Sequence, residues 1–299
     1  MKKIIVDTDV GNDIDDVFAL SYLFARKDAE ILGATTVWGE TQFRSECVDV
    51  IARAAKKQFP IFRGAVYSYD NSKCGKVYDS YKALATNNPH SVDFGGGTDD
   101  AVEFLYKTIK ENPDEVTLIA IGPLTNVALL FERHPDAAEL LEELVVMGGA
   151  YFENPRCTWD ISVEWNFKCD PYAAKIVFDA NVPKIRVFGV DLTWDYQLPR
   201  LTAAGLLSAD WCAPQRRYAE QVYRGDPIWF HDPIACALTF ENSMGEFQRG
   251  DIKIEIKNEN MLGKSIFTPN EFGRCLVCMA LSVDSDSFYK HYTDVLHSL

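Results

Sequence analysis

The sequence predicts an α/β fold: a mostly parallel, Rossmann-like open sheet with helices on both faces. Three observations lead there. Short β-branched or apolar runs alternate with helix-period segments along the chain, the rhythm of βαβ units. No internal repeat, low-complexity tract or Gly/Pro/Ser-rich linker divides the 299 residues, so a single domain over 1–299 is expected. A crowd of carboxylates follows the first strand, where open α/β sheets place their ligands.

Lys3–Asp7 reads as the first strand and Asp15–Arg26 as the first helix, its acids sitting where the helix dipole favours them. Glu30–Val37, Val116–Ile121, Leu144–Met147, Arg186–Val190 and Cys275–Val283 read as further strands, and Asp251–Lys257 alternates in period two. Arg44–Lys57, Leu124–Arg133, Pro171–Phe178 and Ser287–Leu299 read as helices. Tyr67–Gly97 is long and irregular, which suits a functional flap.

Composition narrows the function. Lys+Arg number 30 against 44 Asp+Glu, a net charge of −14, so nucleic-acid polymers and anionic membranes are poor partners. No apolar run is long enough to span a bilayer, and Ile4–Val6 is too short for a signal-peptide core. A cytoplasmic location with reduced thiols is therefore expected for the eight cysteines. The one CxxC, Cys275 and Cys278, lies in an apolar strand and reads as core.

The run from Asp7 to Asp16, DTDVGNDIDD, holds five carboxylates in ten residues. Asp7 and Asp9 are two apart and would share a face of an extended backbone. Like charges this close repel unless neutralised, and a hard divalent cation with oxygen ligands is the natural counter-charge. A solvated, helix-capping acidic loop is the plainer alternative. The spacing fits an EF-hand poorly, because glycine comes one position early and Phe18 stands at the bidentate position. A strand ending in DxD also suggests haloacid dehalogenase-like phosphatases, although Val10–Gly11 follows where a small hydroxyl residue is usual.

Further motifs follow in order: TTVWGE at Thr35–Glu40, IAIGPLTN at Ile119–Asn126, MGGA at Met147–Ala150, Glu164 and Asn166 before DPYAA, DLT at Asp191–Thr193, and HDP at His231–Pro233. With DTDVGNDIDD, this series resembles the inosine-uridine-preferring nucleoside hydrolases across nearly the whole chain. The resemblance implies a calcium-dependent enzyme that hydrolyses the N-glycosidic bond of ribonucleosides, giving ribose and a free base for salvage. It implies Ca²⁺ ligands at Asp9, Asp16, the Ile121 carbonyl and Asp232, an ion that also meets the ribose 2′- and 3′-hydroxyls, and Asp9 as general base. It places Glu164, Asn166 and Met147 on the substrate, Asn154 near the 5′-hydroxyl, and either Asp15 or Asp13 on the ribose. His231 is implied as the acid for the departing base, against the plainer reading of a satisfied core histidine. Dimers or tetramers are implied as well.

Two departures from the family pattern stand out: Glu40 replaces a common asparagine near the sugar, and Val10 a frequent proline. Trp159, Tyr218, Tyr223, Trp229 and Phe230 lie in segments expected on the base side, though packing explains most such aromatics. His90 loosely matches a family flap motif. A modified or bulky-base ribonucleoside and a non-catalytic ribose-binding protein are the competing functions.

Overall fold

The computed structural model of the chain describes residues 1–11, 13–77, 82–90, 94, 96–156 and 163–299. Its strands are β1 (Lys2–Thr8), β2 (Ala29–Thr36), β3 (Ile61–Arg63), β4 (Val116–Ala120), β5 (Glu143–Met147), β6 (Ile185–Phe188), β7 (Gln197–Leu198), β8 (Ile228–Trp229), β9 (Gly245–Ile254), β10 (Ser265–Pro269) and β11 (Cys275–Leu281). Nine of them form one sheet in the order β10-β9-β11-β6-β5-β4-β1-β2-β3, and β7 and β8 pair separately. Every pairing from β3 across to β11 is parallel, whereas β9 runs antiparallel to both β11 and β10.

The chain leaves β1 toward β2 and β3 on one side and later returns to β4, β5 and β6 on the other. The carboxyl ends of β1 and β4 therefore flank the point where the strand order reverses, the crevice in which open α/β sheets bind ligands. Parallel strands are covered on both faces, so β1 is apolar on both: Ile4 and Val6 pack into one core layer and Ile5 into the other. The first layer holds the helices Asp15–Ala25, Thr41–Ala54, His231–Phe240 and Ser285–Leu296; the second holds Thr98–Glu111, Thr125–Arg133 and Pro171–Asp179.

Several elements escaped the sequence. The Thr98–Glu111 and His231–Phe240 helices and β10 are present in addition to the elements read from the periodicity. The irregular segment is pinned by a Tyr67–Cys74 bridge and carries a short helix, Ala83–Thr86; its residues 78–81, 91–93 and 95 lie outside the described set. The seven described cysteines are free, and Cys275 and Cys278 are buried in β11 as expected. Among the described residues, no helix is long and apolar enough to cross a membrane.

Candidate active site

The first strand ends at Thr8, and this termination splits the two aspartates that an extended backbone would have aligned. Asp7 stays in the sheet, fully buried, accepting from Thr35 Oγ1 at 2.5 Å and Asn126 Nδ2 at 2.7 Å. It fastens β1 to β2 and to the GPLTN segment, and burial pushes its carboxyl up to about 7. Asp9 lies past the strand and opens into a cavity of about 810 Å³. The sharp turn between them and the first helix needs Gly11, whose φ is +121° and whose missing Cβ would lie 2.7 Å from the Phe43 ring.

Asp9, Asp13, Asp15, Asp16 and Asp232 all line this cavity, with Ile121 just past the end of β4. Carboxylate oxygens of Asp15, Asp16 and Asp232 lie within 4.8 Å of one another, all three side chains buried. Thr8 Oγ1 donates to Asp16, and the Asp232 backbone N–H donates to Asp15 Oδ2 at 3.4 Å. Burial first, then mutual repulsion, holds the carboxyls of Asp15, Asp16 and Asp232 well above the usual range; burial also raises Asp9. One cation is built in beneath them. Arg44 is fully buried, donates to Trp38 O at 2.7 Å and Val10 O at 3.1 Å, and its charge opposes the upward shifts of Asp9 and Asp16. One guanidinium does not balance four close carboxylates. The donors are all oxygen, so the residues fit a hard divalent ion.

Glu164 is the N-cap of the Trp165–Cys169 helix. Its carboxylate accepts from the N–H groups of Asn166 (2.7 Å), Phe167 (3.1 Å) and Gly149 (3.1 Å). Burial nonetheless raises it to about 7, against those bonds. Asn166 Nδ2 donates to Met147 O at 3.2 Å and Ile121 O at 3.4 Å. The ends of β4 and β5 and the ExN turn are thus joined on the cavity wall, where Met147, Glu164 and Asn166 all appear.

His231 begins the His231–Phe240 helix, so one turn of backbone delivers both His231 and Asp232 to the cavity. His231 Nδ1 lies 2.6 Å from Thr193 Oγ1, and burial lowers the imidazole to about 4. Trp38, Trp165, Trp194, Trp229 and Tyr223 complete the apolar lining, with Trp194 and Trp229 ring centroids 5.2 Å apart.

Not every anticipated residue reaches this cavity. Glu40 sits at the N-cap position of the Thr41–Ala54 helix without a side-chain capping bond and pairs with Lys82 Nζ at 2.6 Å, off the cavity wall. Asn154 Nδ2 donates to Asp191 O at 2.7 Å, away from the lining. Phe230 packs on Phe18 at 5.1 Å and Tyr218 is buried beside Tyr223, so both serve the core. His90 sits 3.0 Å from Asp49 on the surface. Trp159 lies outside the described residues. The cavity also takes in Trp38, Trp165, Trp194, Lys76 and Lys168, which carry no chemical signal of their own in the sequence, although the three tryptophans lie in or beside the motifs TTVWGE, EWN and DLT.

A family model described as inosine-uridine preferring nucleoside hydrolase matches residues 4–290. The chain is 29% identical over 275 residues to uridine nucleosidase 1 of Arabidopsis thaliana, covering 85% of this chain and 78% of the relative. It is 29% identical over 281 residues to a pyrimidine-specific ribonucleoside hydrolase of Shewanella oneidensis, covering 88% and 85%. Among solved structures, a plant nucleoside hydrolase superposes with a TM-score of 0.79 at 21% identity, covering 99% of each chain. A purine-preferring ribonucleoside hydrolase from Gardnerella vaginalis gives 0.76 at 19%, again covering 99% of each.

Proposed function

The chain belongs to the inosine-uridine preferring nucleoside hydrolase family, enzymes that hydrolyse the N-glycosidic bond of ribonucleosides, and we propose that it does so with Ca²⁺ to release ribose and a free base for salvage. The observation that carries this reading is the buried Asp15, Asp16 and Asp232 cluster, with Asp9 and His231 in the same cavity at the strand-order reversal. Asp9, Asp16, Asp232 and the Ile121 carbonyl would hold the ion. When bound, it supplies a lowered water pKa and a fixed position for that water.

The residues of the chain do the rest. Asp9 takes a proton from the attacking water, whose oxygen bonds to C1′ as the C1′–N bond breaks and its electron pair leaves with the base. Asn166, held to Met147 and Ile121, and Glu164, held by three backbone donors, present fixed polar atoms to the ribose. Asp15 shares the buried cluster, whereas Asp13 is exposed at the rim; we assign Asp15 to the ribose hydroxyls. His231 faces the leaving base.

The active unit is one domain over 1–299, acting in the cytoplasm as a homodimer or homotetramer. Uridine is the first substrate to test, because both cited curated relatives are named for uridine or pyrimidine ribonucleosides. A modified or bulky base is the second reading, favoured by the tryptophan-walled cavity of about 810 Å³. The deciding experiment is a turnover screen over purine, pyrimidine and modified ribonucleosides, with released base separated chromatographically, before and after chelation. Ribose and base released only with the metal present support the reading. Binding without release would leave a ribose-binding protein, and phosphate release from phosphomonoesters would indicate phosphatase chemistry instead.

A further inference from the structure

Thr193 is fully buried at the end of the short Val190–Thr193 helix that follows β6. Its hydroxyl has two neighbours: His231 Nδ1 at 2.6 Å and the Gly189 carbonyl oxygen at 3.2 Å. One hydroxyl proton serves one of them. The Gly189 carbonyl already takes the backbone N–H groups of Leu192 and Thr193, each at 3.2 Å, so both its lone pairs are engaged. With that carbonyl already occupied, the hydroxyl proton is directed at the imidazole.

We propose that Thr193 is a positioning residue that donates to His231 Nδ1 and so fixes the neutral tautomer with its proton on Nε2, making His231 a neutral hydrogen-bond donor to the departing base. The two ring nitrogens are distinct, and the bond made by one decides what the other offers. Nδ1 is engaged inside the protein, which leaves Nε2 for the cavity that His231 lines. A neutral imidazole N–H stabilises a nitrogen that accumulates the bond pair without first acquiring a proton. Thr193 itself does not line the cavity, so its effect passes through the ring it holds. The catalytic half of this inference rests on the nucleoside hydrolase reading above; the tautomer does not.

The test pairs spectroscopy with kinetics. Nitrogen-15 spectra of histidine-labelled protein, with His231 assigned by the signal lost in His231→Gln, should show Nε2 protonated and Nδ1 bare. Thr193→Val should mix the tautomers and lower kcat on the natural nucleoside about 10–100-fold. KM should change less than threefold, and a p-nitrophenyl riboside, whose leaving anion is already stable, should keep its rate within twofold. Thr193→Ser should restore both the tautomer and kcat. Native protein with the proton on Nδ1 would overturn the proposal, as would equal loss on both substrates in Thr193→Val or failure of the serine variant to recover. If no riboside is cleaved by the native enzyme, the functional reading fails, while the spectra still decide which nitrogen Thr193 engages.

Discussion

Tyr223 donates its hydroxyl to Asp13 Oδ1 across 2.7 Å, joining positions 210 residues apart at the edge of the cavity. The bond ties the segment before β8 to the loop after β1. Tyr223→Phe keeps the ring and removes the donor. A hydrogen bond to a charged group contributes about 1.5–3 kcal/mol, and exposure of Asp13 puts this one at the low end. Chemical denaturation should show a loss of about 1.5 kcal/mol, with kcat/KM reduced less than tenfold. A drop beyond a hundredfold at unchanged stability would mean that Tyr223 acts on the substrate.

Calcium should raise the melting temperature in proportion to the logarithm of its concentration, by about 2.7 kcal/mol of stability at a hundred times Kd. Asp16→Asn and Asp232→Asn each remove one member of a repelling cluster. Both variants should therefore melt higher than native protein in chelator and respond less to calcium. An unchanged calcium response would exclude the two residues as ligands.

Asp9→Asn retains an oxygen ligand but no proton acceptor. Turnover should fall about 10²–10⁴-fold while ligand-induced stabilisation by ribose persists. Near-native kcat would take Asp9 out of the role of base.

For His231→Ala, the contrast is between leaving groups. Uridine or inosine hydrolysis should fall at least a hundredfold, while p-nitrophenyl riboside hydrolysis stays within a few fold. Parallel loss on both, in a variant that binds calcium normally, would count against leaving-group assistance.

Asp191 supplies a pH signature away from the acidic cluster. Burial raises its carboxyl to about 6, opposed by backbone N–H bonds including the one from Tyr151. A carboxyl raised in the folded state binds its proton more tightly there than in the unfolded chain. Its contribution to stability is complete below about 3.8 and disappears as pH rises through about 6. Asp191→Asn should flatten the native loss of stability between pH 4 and 6, by on the order of 2 kcal/mol. Identical pH–stability curves for both proteins would refute the assignment.

The sequence was most legible where one segment carries its own meaning. Lys3–Asp7, Asp15–Arg26 and most other periodic segments match the observed elements to within a few residues, because core burial on both sheet faces imposes the pattern read from the chain, whereas the strand read at Asp251–Lys257 spans Gly245–Ile254. Asp9, Asp16, Glu164 and Asn166 converge because their segments follow β1 and β5, which flank β4 in the sheet, whereas Asp232 arrives on the His231–Phe240 helix packed against Asp15–Ala25. What the chain could not disclose depends on contacts between distant segments. Glu40 reads as a sugar neighbour by position, but Lys82 draws it outward. Asp7 and Asp9 look equivalent until the end of β1 sends one into the core and the other into the cavity. The Arg44 charge beneath the acids has no local signature, since its partners are carbonyls 6 and 34 residues away.

Of the five tryptophans among the described residues, four (Trp38, Trp165, Trp194 and Trp229) line the cavity, while Trp211 is bonded to the C-terminal helix through Leu296 O. Their indoles span a range of exposure, from Trp38 at 5% to Trp165 at 61%. The enzyme therefore carries its own optical reporter. A nucleobase stacked among these rings would quench emission from the buried indoles, and ribose alone would leave that emission nearly unchanged. Base occupancy and sugar occupancy are thus separable by intrinsic fluorescence, without a label.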